Sequence, residues 1–324
     1  MLITVAICTW NRAENLRRTL EQLTRIVLPA LYDWELLVVN NCCTDHTDDV
    51  VGSFRSRLPI RLLHETTPGL SYARNLAIRA ATGSHIVWTD DDVLVDPSWL
   101  CALMAEFERY NAAWVFGPSE PEWPGAPPSW YSPRFLGYFA GLDYGPETHV
   151  VTDWHEPFFG LNFAGTREAH IALGGFRNEF GLRGTDGGVG EDVDMFQRAF
   201  RAGMTIVYTP RACVRHVIPV ARVRKQYYRR REWLANRVVF QYLDEIFPTV
   251  PYLFGLPRFF YSQVANDAIG YIRSALPGRT SDRFHYELQL LRFTKLLLEA
   301  ARHGFKRPAR HPKSQHEHAG TVRT

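Results

Sequence analysis

Residues 86–92 read IVWTDDD, an apolar run that passes directly into three aspartates. The apolar part predicts a buried strand. Three similar short apolar runs precede it, at residues 2–8, 36–39 and 60–63, and helical patterns separate them. Strands that alternate with helices predict βαβ units and an α/β fold with a mostly parallel sheet. Such sheets bind ligands at the carboxyl ends of their strands, so we expect the three aspartates at the ligand edge.

The three aspartates favour a metal site. Alternate residues of an extended strand point the same way, so we expect Asp90 and Asp92 to converge and Asp91 to point elsewhere. Carboxylates held this close repel each other unless a cation lies between them. Mg²⁺ and Mn²⁺ take oxygen ligands and commonly bridge protein carboxylates to diphosphates. The alternative is an exposed acidic turn, which the position after a buried strand disfavours.

A second acidic pair, Glu191-Asp192, ends a glycine-rich stretch that begins at Gly181. Acidic residues favour helix N-termini, so helix capping is one interpretation. The helix dipole also keeps a carboxylate ionised, as a general base requires, and the glycines would let the segment close over a ligand. His216 follows a short predicted strand. Such a histidine is usually structural, but beside an acidic site it is a candidate third metal ligand.

The composition indicates a folded protein with two unlike parts. The 324 residues include 37 basic and 34 acidic side chains, yet residues 1–220 carry a net charge of −8 and residues 221–324 one of +11. The five cysteines are odd in number and form no CxxC pair, which argues against a disulfide framework and a zinc site. No apolar stretch reaches the ~18 residues of a membrane span, and no signal-peptide pattern opens the chain. We therefore expect a cytoplasmic protein.

The order of these motifs resembles the inverting, nucleotide-sugar-dependent family 2 glycosyltransferases, which have the GT-A fold. The resemblance covers about residues 2–232. The stretches that carry it stand in the family's order: residues 8–12 (CTWNR), 38–45 (VVNNCCTD), 69–75 (GLSYARN), 89–92 (TDDD), 160–162 (GLN) with Arg167, 174–176 (GGF), 190–192 (GED) and His216. Each motif alone is weak, whereas their order is specific.

The resemblance implies an enzyme that transfers a sugar from a nucleotide-diphosphate sugar to an acceptor hydroxyl with inversion, in the biosynthesis of a cell-surface polysaccharide or glycolipid. It implies Mg²⁺ or Mn²⁺ as cofactor, with Asp92, Asp90 and His216 as ligands. Asp192, with Glu191 as the lesser candidate, would deprotonate the acceptor hydroxyl. The implied substrate-binding residues are Thr9, Asn11, Arg12, Asn40, Asp45, Arg74, Asp90, Asp91 and Asn162.

Within this set, the resemblance assigns Thr9 and Asn40 to the nucleotide base. It assigns Arg74 to the base or the diphosphate, and Asp90 to the ribose. The family usually has Asp where this chain has Asn40; an amide keeps a carbonyl acceptor but adds a donor and loses the charge, so the choice of base stays open.

Two other functional classes are alternatives to a glycosyltransferase. A nucleotidyltransferase that makes nucleotide sugars would share the fold and the paired aspartates. The chain lacks the glycine- and lysine-bearing N-terminal loop that such an enzyme needs. A non-catalytic nucleotide-sugar-binding module would lose its acids, and the intact Asp90, Asp92 and Asp192 argue against it.

Residues 221–305 predict an extension of basic amphipathic helices behind a catalytic domain of residues 1–220, and residues 306–324 predict a disordered tail. The start of the extension interleaves basic and aromatic side chains: Lys225, Tyr227, Tyr228, Arg229, Arg230, Arg231, Trp233 and Arg237. A solvated helix face and nucleic-acid binding are alternatives, but no nucleic-acid motif accompanies the cluster. Basic residues beside aromatics favour an anionic membrane surface or a lipid-linked acceptor. We therefore predict peripheral association with the inner face of the cell membrane.

Residues 117–133 are rich in proline and contain Trp123 and Trp130. This composition predicts an irregular, aromatic-lined loop without regular structure. Because the loop follows the ligand edge of the sheet, we expect it to contribute to the acceptor site, with simple packing as the alternative.

Overall fold

The computed structural model describes residues 1–181, 190–274 and 280–308, without the side chains at positions 238, 245, 280 and 281. Residues 182–189 of the predicted glycine-rich stretch and residues 309–324 of the predicted tail lie outside this description. The chain divides into two compact units, Met1–Tyr227 and Tyr228–Thr324. The domain limits expected from the sequence stay a prediction.

The strands and helices of the described ranges follow in chain order. The strands are β1 (Leu2–Thr9), β2 (Asp33–Asn41), β3 (Ile60–Glu65), β4 (His85–Asp90), β5 (Val93–Val95), β6 (Trp114–Phe116), β7 (Ser119–Glu122), β8 (His149–Val150), β9 (Asn162–Thr166), β10 (Ile206–Tyr208), β11 (Val214–Val217), β12 (Tyr252–Leu253) and β13 (Leu256–Pro257). The α-helices are α1 (Ala13–Leu23), α2 (Thr47–Ser53), α3 (Leu70–Ala80), α4 (Trp99–Tyr110), α5 (Arg167–Ala172), α6 (Glu191–Arg201), α7 (Lys225–Ile246), α8 (Phe259–Arg273) and α9 (Thr280–Arg302). Two 3-10 helices span Pro133–Phe139 and Val220–Val223.

The first unit is built on an eight-stranded sheet with the strand order β3-β2-β1-β4-β9-β6-β10-β8. Strands β1 to β4 run parallel, whereas β9 is antiparallel to both of its neighbours, β4 and β6. This topology confirms the predicted α/β fold with a mostly parallel sheet. The carboxyl ends of β1, β2 and β4 lie side by side, because Cys8 is opposite both Val39 and Asp90.

Helices cover both faces of this sheet. In β1, Ile3, Val5 and Ile7 belong to the core cluster that includes residues of α1, α2 and α4, whereas Ala6 belongs to the cluster that includes residues of α3 and α6. Side chains of a strand alternate between faces, and a sheet covered on both sides needs apolar residues on both. The apolar runs that form β1, β2 and β4 are therefore interior strands, whereas residues 60–63 belong to β3 at the edge of the sheet.

A separate three-stranded sheet, with the order β5-β11-β7, determines the position of His216. In β11, His216 lies opposite Val93 of β5 and Pro121 of β7. The backbone N–H of Val217 also donates to the carbonyl oxygen of Asp92 at 2.8 Å. Because β5 begins directly after Asp92, this pairing brings His216 beside the third aspartate.

The second unit contains most of α7, helices α8 and α9, and the hairpin β12–β13. These helices confirm the predicted helical C-terminal part. Among the described residues of the unit, one core cluster contains Phe240, Leu243, Leu256, Phe260, Leu296 and Ala300. At Gly270 of α8, a Cβ would collide with the ring of Tyr286 in α9, so glycine allows these helices to pack closely. None of the helices in the described ranges combines the length and apolar character that a bilayer crossing requires.

Candidate active site

The three aspartates lie where β4 ends, and their carboxylates contact different partners. Thr9 Oγ1 donates to Asp91 Oδ2 at 2.6 Å. The Arg12 guanidinium bridges the next two carboxylates, with Nη1 3.1 Å from Asp91 Oδ1 and 2.9 Å from Asp92 Oδ2. The expectation that Asp91 points away from Asp92 is therefore wrong. The strand ends at Asp90, and residues 91 and 92 form a turn to which strand alternation does not apply.

His216 lies beside Asp92, and the backbone orients its ring. Nε2 is 3.4 Å from Asp92 Oδ1, and Nδ1 donates to the carbonyl oxygen of Phe139 at 2.7 Å. A carbonyl oxygen can only accept, so in the neutral ring the proton lies on Nδ1 and Nε2 keeps its lone pair. Arg222 Nη1 lies 3.3 Å from the same Nε2 and donates to it when the ring is neutral. A histidine that ligates a metal through Nε2 uses this tautomer.

The two bridged carboxylates differ in their pKa. Burial raises the pKa of Asp91 to about 7; the Arg12 charge opposes this, and the Asp92 charge adds to it. Burial acts in the same direction on Asp92, but the hydrogen bond and charge of His216, together with Arg12, outweigh it and hold the pKa of Asp92 at about 2. Asp92 is therefore the ionised member of this pair at neutral pH.

Arg74 is a buried cation between the aspartates and the second acidic pair. Nη1 donates to Glu191 Oε1 at 3.0 Å, Nη2 donates to the carbonyl oxygen of Gly160 at 3.2 Å, and Nη2 lies 3.7 Å from Asp90 Oδ1. Its guanidinium also lies over the ring of Phe176, 5.1 Å from the centroid. An arginine held by so many contacts presents its charge at one defined position.

The second acidic pair opens helix α6, and its two members have different surroundings. Asp192 is partly exposed and accepts hydrogen bonds from the backbone N–H groups of Gly160 (2.6 Å) and Val193 (2.8 Å). Glu191 is buried against Arg74; burial and then the Asp192 charge raise its pKa to about 7. The backbone therefore orients the Asp192 carboxylate, whereas Glu191 is engaged with the arginine.

Three predicted substrate-binding residues join the loops that follow β1 and β2. Asn11 Oδ1 accepts from the backbone N–H of Thr44 at 2.7 Å, and Asp45 Oδ2 accepts from that of Ala13, the first residue of α1, at 3.0 Å. Asn40 Oδ1 accepts from the N–H of Cys43 at 2.7 Å. These contacts shape the loops at the same end of the sheet as Asp90.

The side chain of Asn162 binds other parts of the protein and does not contact the loop residues Asn11, Asn40 and Asp45. Its side chain is buried, its Oδ1 accepts from Trp99 Nε1 at 2.9 Å, and its Nδ2 donates to the carbonyl oxygens of Pro118 and Ala212 at 2.9 and 2.7 Å. Both amide hydrogens are thus used within the protein. The structure gives Asn162 a role in joining β9 to two loops.

The predicted metal ligands are only partly assembled. Asp92 and His216 are adjacent, whereas the Asp90 carboxylate lies toward Arg74. No group of three His, Cys, Asp or Glu side chains among the described residues is arranged to hold a metal ion. The Asp92 carboxylate and the His216 imidazole, whose Nε2 contacts Arg222 in this structure, fit an ion that takes its other ligands from a diphosphate and water, as Mg²⁺ commonly does. The residues present thus fit a shared metal–diphosphate site and do not form a closed protein cage.

Arg222 is a residue of the site that the sequence reasoning missed. It stands six positions after His216 in the 3-10 helix Val220–Val223, and it faces the imidazole that also contacts Asp92. The sequence offered one indication of this role, namely that an arginine follows His216 at a short distance. The sequence alone does not distinguish Arg222 from nearby Arg224 and Lys225, because the distinguishing feature is the contact of Arg222 with the His216 ring.

The loop predicted to be irregular contains strand β7, so the expectation of no regular structure there is wrong. Strand β7 lies at the edge of its sheet, because it pairs with β11 alone among the described strands. An edge strand tolerates proline, so the prolines of this segment do not prevent the pairing. The tryptophans pack on Phe139, with ring centroids 4.5 Å away for Trp123 and 5.8 Å for Trp130. Since the Phe139 carbonyl orients His216, this aromatic cluster borders the predicted metal site.

Comparison with known proteins gives a family match and several relatives. The model of the family "Glycosyl transferase family 2" matches residues 4–174. The succinoglycan biosynthesis protein ExoM of Rhizobium meliloti (strain 1021) is 28% identical over 238 residues, which are 72% of this chain and 71% of that protein. The glucosyl-dolichyl phosphate glucuronosyltransferase of Haloferax volcanii is 24% identical over 225 residues, 67% of this chain and 69% of that protein.

Solved structures share the fold. The mannosyltransferase PcManGT from Pyrobaculum calidifontis, in complex with GDP-Man and Mn²⁺, superposes with a TM-score of 0.58 at 20% identity, covering 93% of this chain and 73% of that one. Residues 1–349 of S. aureus TarS, in complex with UDP-GlcNAc, superpose with a TM-score of 0.54 at 15% identity, covering 94% and 92%. At these identities the likeness concerns the fold, which is of the GT-A type.

Proposed function

Because the chain belongs to glycosyl transferase family 2, we propose that it transfers a sugar from a nucleoside-diphosphate sugar to an acceptor hydroxyl, with inversion and with a divalent metal. The observation that carries this proposal is the contact path through Gly160. Its N–H donates to Asp192, and its carbonyl accepts from Arg74, which reaches toward Asp90. The path joins a candidate base to the acidic turn where the donor would bind.

The donor would lie at the ends of β1, β2 and β4. Thr9 and Asn40 would contact the base, Asp90 the ribose, and Arg74 the base or diphosphate. Arg12, Asp91 and the loop residues Asn11 and Asp45 complete the proposed donor site; Asn162 would act on it through β9. The neighbours named above are complexes with a guanine and a uracil nucleotide sugar, so the base stays open.

Asp92 and His216 would hold Mn²⁺ or Mg²⁺, with Asp90 as the proposed third ligand on the donor side. PcManGT, which has the same fold, was solved with Mn²⁺. When bound, the ion would neutralise the diphosphate, which is the leaving group. Arg222 lies at the same imidazole, so we propose that its guanidinium adds positive charge there.

Asp192 is the proposed general base. Its carboxylate would accept the proton of the acceptor hydroxyl, whose oxygen forms a bond to the anomeric carbon as the bond from that carbon to the diphosphate oxygen breaks. Attack from the face opposite the diphosphate inverts the anomeric centre. Partial exposure and two backbone hydrogen bonds suit Asp192 to this role. Glu191 would instead position Arg74.

The acceptor would be a glycan or a lipid-linked glycan in cell-surface polysaccharide or glycolipid biosynthesis. A relative of this chain carries the name of a succinoglycan biosynthesis protein, which supports a polysaccharide product. The cluster around Trp123 and Trp130 borders His216 through Phe139 and would form the acceptor side. We propose that the reaction takes place in the cytoplasm at the inner face of the membrane.

The test is a panel of nucleotide sugars with Mn²⁺ or Mg²⁺, with release of nucleoside diphosphate as the measurement. Asp192→Asn should lower the transfer rate by about 10²–10⁴-fold while nucleotide binding by calorimetry is kept. Asp92→Ala should weaken metal-dependent nucleotide binding itself. Asp49→Asn, an exposed acid of α2, is the matched control and should change neither.

Two outcomes would contradict the proposal. Release of pyrophosphate would identify a nucleotidyltransferase, and binding without turnover for any donor would identify a non-catalytic module. Full activity of Asp192→Asn would instead remove Asp192 from the role of base and leave the class of reaction in place.

A further inference from the structure

The hairpin of the second unit carries an unusual residue at its tip. Strands β12 and β13 are joined by Phe254 and Gly255, with φ of +45° and +75°. Two-residue turns with both residues in this region favour Asn, Asp or Gly, and a bulky side chain there is a backbone outlier. Phe254 nevertheless keeps 59% of its surface exposed. Folding of the hairpin does not explain an exposed, strained phenylalanine.

Two further apolar side chains extend this surface. Leu253 is 42% exposed, and Phe305 is 48% exposed with its ring centroid 5.9 Å from that of Phe254. We refer to Leu253, Phe254 and Phe305 as the hairpin tip. Apolar residues that are exposed together mark a binding surface more often than scattered ones do.

The hairpin behind the tip is anchored. The Tyr252 hydroxyl donates to the carbonyl oxygen of Leu243 at 2.6 Å, and the Arg307 guanidinium lies over the Tyr252 ring, 4.4 Å from its centroid. Gly255 packs so closely on the backbone of Lys306 that a Cβ would lie 3.0 Å from its carbonyl oxygen. These contacts therefore hold in place the hairpin that carries the tip.

Positive charge accompanies the tip. Arg258 and Lys306 are exposed, and within the described residues neither forms an ion pair. Two neighbouring acids with described side chains are paired: Asp244 with Arg307, and Glu299 with Lys295 and Arg302. Among the described side chains, the unpaired charges beside the tip are therefore those of Arg258 and Lys306.

We propose that the hairpin tip inserts into the surface of an anionic lipid bilayer, with Arg258 and Lys306 on the headgroups. Aromatic and aliphatic side chains flanked by basic residues suit the boundary between headgroups and acyl chains. Arg258 and Lys306 favour an anionic lipid surface over a neutral one, because each basic residue adds attraction to acidic headgroups. This inference is independent of the proposed transfer reaction, since it concerns the second unit alone.

The test compares binding of the full chain to phosphatidylcholine vesicles with and without phosphatidylserine, by flotation at low salt. Phe254→Asn should weaken binding about tenfold, because it removes a large apolar side chain from the interface. The same substitution relieves the backbone, so the melting temperature should stay equal or rise. Lys306→Gln should weaken binding roughly fivefold, and only to vesicles that contain phosphatidylserine.

The control is Ile272→Asn, which removes an apolar side chain that is 71% exposed on α8. It should leave vesicle binding unchanged. The proposal is overturned if the unmodified chain does not float with anionic vesicles, if Phe254→Asn binds as well as the parent, or if Ile272→Asn loses as much. Because the vesicles contain neither donor nor acceptor, these results do not depend on whether the transferase assignment is correct.

Discussion

At the scale of single residues, Gly160 is the point at which the two sides of the candidate site meet. Its N–H is 2.6 Å from Asp192 Oδ2 and its carbonyl 3.2 Å from Arg74 Nη2. A Cβ at this position would collide with the Arg74 guanidinium. A larger residue at position 160 would therefore have to displace the Arg74 guanidinium, and the arginine and the proposed base depend on one backbone segment.

Gly160→Ala should displace Arg74 and lower the rate of sugar transfer by about 10²-fold, because small displacements in an active site are costly. Nucleoside diphosphate release with the preferred donor is the measurement, and circular dichroism reports whether the fold is kept. Gly52→Ala serves as control, since a Cβ at Gly52 of α2 meets nothing within 4 Å. Full activity of Gly160→Ala would show that the arginine can move without consequence.

At the scale of elements, helix α5 buries a histidine against the sheet. His170 is fully buried; its Nε2 accepts from Trp88 Nε1 at 2.8 Å, and its Nδ1 donates to the carbonyl oxygen of Thr166 at 2.9 Å. An indole N–H can only donate and a carbonyl can only accept, so the ring is neutral and both nitrogens are satisfied. Burial lowers the pKa of His170 to about 4 from its usual 6.5.

This histidine should make the protein less stable in acid. Between pH 6.5 and about 4 the unfolded chain binds a proton that the folded chain excludes, so the free energy of unfolding falls as the pH falls. The contribution of neutral His170 to the free energy of unfolding is fully present above pH 6.5 and amounts to about 3 kcal/mol. His170→Gln should make the decline between pH 7 and pH 4 shallower by about that amount, measured by urea unfolding.

The control for the acid effect is His155→Gln, because His155 is exposed and its ring contacts only the exposed side chains of Trp154 and Asp153 among the described residues. The slope should change much less than in His170→Gln. An unchanged slope in His170→Gln would mean that acid destabilisation comes from other groups. A lower stability of His170→Gln at every pH, without a change in slope, would have the same meaning.

At the scale of the whole molecule, the two units have unequal cores. The first unit packs two extensive apolar clusters on the two faces of its sheet. Within the described part of the second unit, one smaller cluster joins six buried residues of its helices and hairpin, and Phe284 and Leu288 are buried besides. Apolar burial is the dominant stabilising contribution to a folded unit, so the second unit has the smaller reserve.

We expect the second unit to open first. In hydrogen exchange monitored by mass spectrometry, peptides from α8 and α9 should lose protection at a lower guanidinium concentration than peptides from β1, β2 and β4. Peptides from α1 are the internal reference, since they belong to the core of the first unit. Loss of protection at the same concentration in all peptides would show that the chain unfolds as one cooperative unit.

Local patterns were sufficient for the parallel half of the sheet. Runs such as residues 36–39 are apolar without interruption, and only strands covered on both faces take that composition. The residue that caps a helix was harder to predict from the sequence. Asn11 and Glu14 have the spacing of a capping box, yet the first N–H of α1 binds Asp45 from the next loop. A side chain brought by the tertiary fold replaced the local cap, and no local rule identifies it.

By itself, the sequence determined which residue types stand where the strands end: three aspartates after β4 and the acidic pair at the start of α6. The tertiary structure decided their partners. His216 reaches Asp92 because β11 pairs with β5, and Arg12 holds two aspartates because the strand ends one residue after Thr89. Periodicity is a property of neighbours along the chain, whereas pairing between distant strands depends on the free energy of the whole fold.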